Sequence, residues 1–251
     1  MPTQKKYATD RFVGECLHGD LKGEREILLL GDSHAAQLNY FADIVGKALH
    51  ARIRVITASS CINIPGFDVE RLPEWARLPC LDQIAAAQGF LDKADALMVA
   101  GKWQFHVGSP IFMRAFDEFL TNAARKHLSV AVLAQVPMLS SNVQRVHRFQ
   151  RFGISGQAVV ALGWQNANRA IKTLTARHAN ARFLDFSAIP LFATPPFSDG
   201  VLIYSDSQHL NESGALAYGR EAVSAINAWL DAVRPMSTER ANSDPSSLPA
   251  P

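Results

Sequence analysis

Five short apolar runs, each followed by a segment long enough for a helix, constrain this chain more than any other feature. The runs are Ile27-Leu28-Leu29-Leu30, Ile53 to Ile56, Ala96 to Ala100, Ser129 to Val136 and Ala181 to Phe186. The first is apolar at four consecutive positions, the pattern of a strand buried on both faces. Between and after the runs, Ala35 to Leu49, Leu81 to Leu91, Ile111 to His127, Asn166 to His178 and Glu212 to Val233 read as helices. Phe112, Ala115, Phe116, Phe119, Leu120 and Ala123 recur at helical spacing and mark a core-facing stripe. Asn211 stands where the last helix needs an N-cap. Strands alternating with helices predict an α/β chain: a three-layer α/β/α sandwich around a mostly parallel, five-stranded sheet. Ligands of such sheets bind beyond the carboxyl ends of the strands.

The chain has 251 residues, 48% of them hydrophobic, which suits one sizeable domain. We expect residues 1–24 to be an extension, 25–233 the domain and 234–251 a disordered tail rich in Pro, Ser, Asn and Ala. Two stretches resist assignment. Thr57 to Pro79 is irregular, and Ser140 to Gly163 reads as a long loop with a helical piece. The net charge of +2 is too even for a nucleic-acid partner, and no basic stripe carries interleaved aromatics. No apolar run approaches the roughly 20 residues that span a bilayer. Met1 to Lys6 is polar with no apolar stretch behind it, so no signal peptide is expected. A piece of a longer exported or membrane-tethered protein would look the same. Cys61 and Cys80 share a Pro- and Gly-rich stretch. They are either a disulfide, implying an oxidising compartment, or two thiols, and Cys16 is left over.

Two segments carry chemistry. Ser33 lies in Gly31-Asp32-Ser33-His34, at the turn from the first strand into the first helix. There a hydroxyl stands above the sheet edge beside helix N-terminal amides. Taken alone, the segment could be a simple helix cap. At the other end of the chain, Asp206-Ser207-Gln208-His209 supplies an imidazole to take a serine proton and a carboxylate to orient it. Ser59-Ser60-Cys61 and Gly101-Lys102-Trp103 follow the second and third strands on the same edge.

Leu29 to His34 and Tyr204 to Leu210 resemble the first and last signature blocks of the SGNH (GDSL-type) hydrolases. They are most similar to the SGNH domains attached to acyltransferase-3 membrane proteins. Ser59-Ser60-Cys61, Trp103 and Tyr204 fit the same pattern. The resemblance runs from about Glu26 to Leu230 and implies a flavodoxin-like fold. It makes Ser33 the nucleophile, His209 the base and Asp206 its orienting partner, with no cofactor. It implies transfer of an acyl group, of the acetyl kind, to hydroxyls of bacterial cell-surface glycans, or hydrolysis of acetyl esters. The partner it implies is an acyltransferase-3 membrane domain, in the same chain or encoded separately, and for a fragment of such a membrane acyltransferase the compartment is periplasmic or extracytoplasmic.

The sequence departs from the family in one informative place. The Gly-x-Asn block that supplies an oxyanion donor is replaced by Gly101-Lys102-Trp103. The Ser33 amide remains as one donor, and Ser60, through its amide or hydroxyl, is the candidate for the second. Two rival activities follow: a stand-alone carbohydrate acetyl esterase and a degenerate glycan-binding module. Trp103 either stacks on a sugar or packs over the strand ends. His34 is either a structural residue at the helix start or a substrate contact. Asp32 is expected to hold the turn. His106, His127, His147 and His178 look isolated, and no pair has metal-binding spacing. Arg145, Arg148 and Arg151 could line an acidic-glycan groove or simply face solvent.

Overall fold

The computed structural model describes residues 16–154 and 158–232. A six-stranded sheet comprises β1 (Leu17–Gly19), β2 (Arg25–Gly31), β3 (Ala51–Thr57), β4 (Ala96–Ala100), β5 (Ser129–Leu133) and β6 (Ala181–Leu184). Their order is β1-β3-β2-β4-β5-β6. Strands β2 to β6 are parallel, with Leu30 level with Ile56 on one side and Val99 on the other. Counted among themselves, these five follow the 2-1-3-4-5 doubly wound order, which places a crevice between the first and third, here β2 and β4.

The helices are α1 (Ser33–Ala36), α2 (Asn39–Ala48), α3 (Glu74–Leu91), α4 (Trp103–His106), α5 (Pro110–Arg125), α6 (Val143–Arg151), α7 (Trp164–Thr175) and α8 (Glu212–Asp231). Because β2 is covered on both sides, its alternation divides the core. Leu28 and Leu30 join the layer of α3, α5 and α7, while Ile27 and Leu29 join that of α2 and α8. All four are fully buried. Each such side chain stabilises the fold by roughly 1.5–3 kcal/mol. Helix starts follow the capping chemistry. Asn211 accepts from the Gly214 amide at 2.9 Å, and Ser109 from that of Phe112 at 3.0 Å.

The five expected strands are present, and a sixth was missed. Residues 17–19, assigned to the extension, form an antiparallel edge strand on β3. Three residues are too few to show a period. Residues 1–15 of the extension, the tail and the final residue of the last expected helix lie outside the described residues. The helix expected over Ala35 to Leu49 is broken at Gln37-Leu38 into α1 and α2. Helix α3 starts seven residues before the expected Leu81 and contains Pro79. That proline costs one helical hydrogen bond, which packing offsets. The helical piece of 140–163 is α6. The Pro-rich stretch before the last helix holds a short 3-10 turn (Pro190–Phe192) and a two-stranded hairpin.

Candidate active site

The turn after β2 is fixed before any chemistry is considered. Gly31 has φ +156°, and a Cβ there would lie 1.8 Å from the Ala100 carbonyl oxygen, so only glycine lets β2 approach β4 this closely. Asp32 then caps α1, accepting from the His34 amide at 2.7 Å. Its second oxygen accepts from the Lys102 amide and from His106 Nε2, each at 2.9 Å. The carboxyl is 1% exposed. Burial alone would raise its pKa, but the hydrogen bonds and the nearby imidazoles outweigh burial and hold it below the ordinary value. Ser33 therefore sits on a turn riveted to the start of β4's own loop. Its amide, at the first helical position, has no acceptor within the helix.

Across the edge, residues 204–210 form a closed loop. Tyr204 bridges Leu210, and the Ser205 amide donates to the His209 carbonyl at 2.9 Å. The Tyr204 hydroxyl donates to the Pro137 carbonyl at 2.8 Å, and the Leu139 amide to that of Ser207 at 2.7 Å. Within this loop Asp206 Oδ1 accepts from the Gln208 and His209 amides at 2.7 and 2.8 Å. Its Oδ2 meets His209 Nδ1 at 2.7 Å. His209 Nε2 in turn meets Ser33 Oγ at 2.9 Å. Burial pushes the Asp206 pKa up, yet the bonds from His209 and the loop amides prevail and bring it to about 2. An ionised Asp206 accepts from Nδ1–H, which leaves Nε2 as the acceptor for the serine proton.

Gln37, which sequence reasoning passed over, joins the two halves. Its Oε1 accepts from the Leu210 amide at 2.5 Å, and its Nε2 donates to the His34 carbonyl at 3.1 Å. A lone Gln after a short helix carries no motif. Spatial contact across 173 residues is what reveals it.

Several expectations need correction. Trp103 is fully buried, and its Nε1 donates to the Leu133 carbonyl at 2.8 Å. No ring face is free for a sugar, so Trp103 is a packing residue. His106 is not isolated, since it is the buried partner of Asp32. His178 is not isolated either, because its Nε2 meets Asp117 at 2.8 Å. His147 contacts the Phe197 ring. His34 is buried beside His209, ring centroids 5.1 Å apart, and neither ring nitrogen has a partner among the described residues. Burial is the main reason its pKa falls to about 4, so it is neutral at pH 7.

Ser60 is exposed at φ +57°, in a turn whose Ala58 amide donates to the Gly31 carbonyl at 3.2 Å. The turn thus lies on the same edge as Ser33. Cys61 and Cys80 are joined as a disulfide with Cα atoms 5.8 Å apart, tying that turn to α3. Arg145, Arg148 and Arg151 are exposed on α6, whose Gln144 donates to the Ser205 carbonyl. No helix among the described residues is long and apolar enough to cross a membrane.

A doubly wound sheet with a serine, a histidine and an aspartate in hydrogen-bonded series at its carboxyl edge defines the class: α/β proteins whose site is arranged for attack by a serine hydroxyl. Residues 3–223 match the family described as "SGNH domain (fused to AT3 domains)", and the chain belongs to that family. Two solved structures align with the chain, and the first shares its fold. A protein from Streptococcus pneumonia, provisionally described as a platelet activating factor, aligns with a TM-score of 0.50 at 17% identity, covering 89% of this chain and 90% of that one. An acetyl xylan esterase, AlAXEase, aligns with a TM-score of 0.46 at 14% identity, over 80% of this chain and 99% of that one. No curated protein sequence matches the chain.

Proposed function

We propose that the chain transfers an acyl group, of acetyl size, from an ester or thioester to a hydroxyl of a cell-surface glycan, through an acyl-serine at Ser33. The observation that carries this reading is the unbroken series Ser33 Oγ, His209 Nε2, His209 Nδ1, Asp206 Oδ2. His209 takes the Ser33 proton as Oγ attacks the carbonyl carbon. The oxyanion rests on the Ser33 amide, with Ser60 as the second donor. His209 gives the proton to the leaving oxygen or sulfur, whose bond to carbon breaks. The steps then run in reverse with an incoming hydroxyl. Asp206 stabilises the imidazolium formed between them.

Water can replace the sugar hydroxyl without moving any of these groups, so a carbohydrate esterase uses the same residues. The difference is how well water is kept out. An acyltransferase-3 membrane domain is the partner we propose, since the family is one fused to such domains. The Cys61–Cys80 disulfide supports an extracytoplasmic site of action.

The test is hydrolysis of p-nitrophenyl acetate. Wild type turns over, while Ser33→Ala and His209→Ala each lose at least about 10³-fold in kcat. Adding a sugar acceptor then shows whether acetyl is diverted from water. Equal, background-level rates in all three proteins would sink the catalytic reading and leave glycan binding.

A further inference from the structure

Charge along this chain is segregated in a way the even total conceals. Nine of the 25 Lys and Arg residues lie in 119–184, and none of the 23 Asp and Glu residues does. The fold sets two of these cations, Arg169 and Arg177, on one wall with Arg114, which comes from outside that stretch. An open groove of about 630 Å³ runs between α5 and α7, and Arg114, Arg169 and Arg177 line it. All three are exposed. None has an ion pair or side-chain hydrogen bond among the described residues. The one acid on the wall, Asp117, already meets His178. Lys172 continues the basic ridge of α7 on its far side, in a second depression that Arg169 shares.

We propose that this groove binds an acidic glycan chain, the polymer that presents its hydroxyls to Ser33. Unpaired guanidinium groups are suited to carboxylates and phosphates, which they grip with two parallel hydrogen bonds. The groove is concave and extends about 10 Å from Asn166 to Thr173, the shape of a linear chain rather than a bilayer surface. Its floor is Met113, Ala170 and Leu174, with no aromatic ring. Without a stacking platform the groove does not suit single-stranded nucleic acid, which relies on bases stacked on rings. Neutral sugars likewise have no ring to lie on, so charge carries recognition. Asn166 and Thr173 are placed to meet hydroxyls between the anions. Helices α5 and α7 both begin at the carboxyl edge of the sheet, the edge that holds Ser33, so Met113 and Asn166 mark the end of the groove nearer the site. The loop before α7 is held there by Gln104, whose Nε2 donates to the Leu162 carbonyl. Gln104 directly follows Trp103 in α4.

As a statement about the acyl acceptor this rests on the acyl-transfer reading, but binding can be measured without turnover. Oligogalacturonate, a chain of uronic acids, is titrated into the full chain by calorimetry at low salt. A neutral xylo-oligosaccharide, phosphatidylglycerol vesicles and a single-stranded oligonucleotide are run beside it. Oligogalacturonate is expected to bind, to weaken as salt rises, and to weaken by at least about tenfold in the triple variant Arg114→Gln/Arg169→Gln/Arg177→Gln. Hydrolysis of p-nitrophenyl acetate by that variant stays at the wild-type rate, which shows it is folded. The proposal is overturned if the triple variant binds oligogalacturonate as wild type does. It is also overturned if the neutral oligomer binds equally well, or if only vesicles or only the oligonucleotide bind. If wild type binds oligogalacturonate through these arginines yet hydrolyses nothing, the groove stands and the catalytic reading alone fails.

Discussion

At the scale of single residues, two imidazoles do work that the motif does not announce. His106 donates to the buried Asp32 from inside a cage of Phe67, Trp103, Phe105 and Phe112 rings. It touches no substrate position, and it acts as a positioning residue through the turn that carries Ser33. His106→Phe leaves a buried carboxylate short of one donor, and we expect a loss of about 3–5 kcal/mol in urea unfolding. In whatever fraction stays folded, kcat for p-nitrophenyl acetate falls while KM holds, and His106→Gln recovers part of it. A KM that rises with kcat unchanged would contradict the positioning role. Asp206→Asn keeps the shape but loses the charge that fixes His209, and kcat should fall by about 10⁴-fold.

His34 gives a pH signature. Its folded pKa of about 4 is below the ordinary 6.5, so the unfolded chain takes up a proton first as pH falls. The stability of the neutral form is complete above pH 6.5 and declines toward pH 4. Between pH 7.5 and 5 the loss is about 2 kcal/mol for this one group. His34→Leu should flatten that part of the stability profile, and an unchanged slope would rule His34 out as its source. Asp206 acts in a lower window. Its pKa is depressed, so its contribution is present above pH 4 and is lost as pH falls toward 2. The side chain is 50% exposed, so solvent screening keeps that contribution small.

At the scale of elements, the loop that holds Asp206 and His209 depends on how α8 begins. A Cβ on Gly214 would lie 2.2 Å from the Ile203 carbonyl oxygen, the same oxygen that accepts from the Asn211 amide at 3.0 Å. Backbone meets backbone there, so no side chain can yield. Gly214→Ala is expected to cost about 1–3 kcal/mol and to shift the loop holding Asp206 and His209, lowering kcat more than stability accounts for. The disulfide fixes another element. It joins residues 19 apart in sequence, and closing a loop of that length is worth about 3 kcal/mol. Reduction with dithiothreitol should lower the unfolding midpoint accordingly, and an unmoved midpoint would mean the bond contributes nothing. Here the sequence was a partial guide. Pro79 suggested an irregular stretch where α3 actually runs, because packing of Ala76 and Cys80 in the core outweighs one lost hydrogen bond.

At the scale of the whole molecule, the parallel order puts the ends of β2 and β4 side by side, and the site grows at that junction. Ser33 and His209 are 176 residues apart in the chain and 2.9 Å apart in space. The amino-acid sequence alone specifies the buried parallel strands, because four consecutive apolar residues can be satisfied only with cover on both faces. It also determined the residue types of the site, because a serine at a strand-to-helix turn and an Asp-x-x-His before a final helix are local patterns. Folding in three dimensions is what pairs Asp32 with His106, bridges Gln37 to Leu210, packs Trp103 inside and brings dispersed arginines to one groove. Each of these is a contact between segments remote in the chain, formed by the sheet order and by desolvation, and local periodicity carries no record of either.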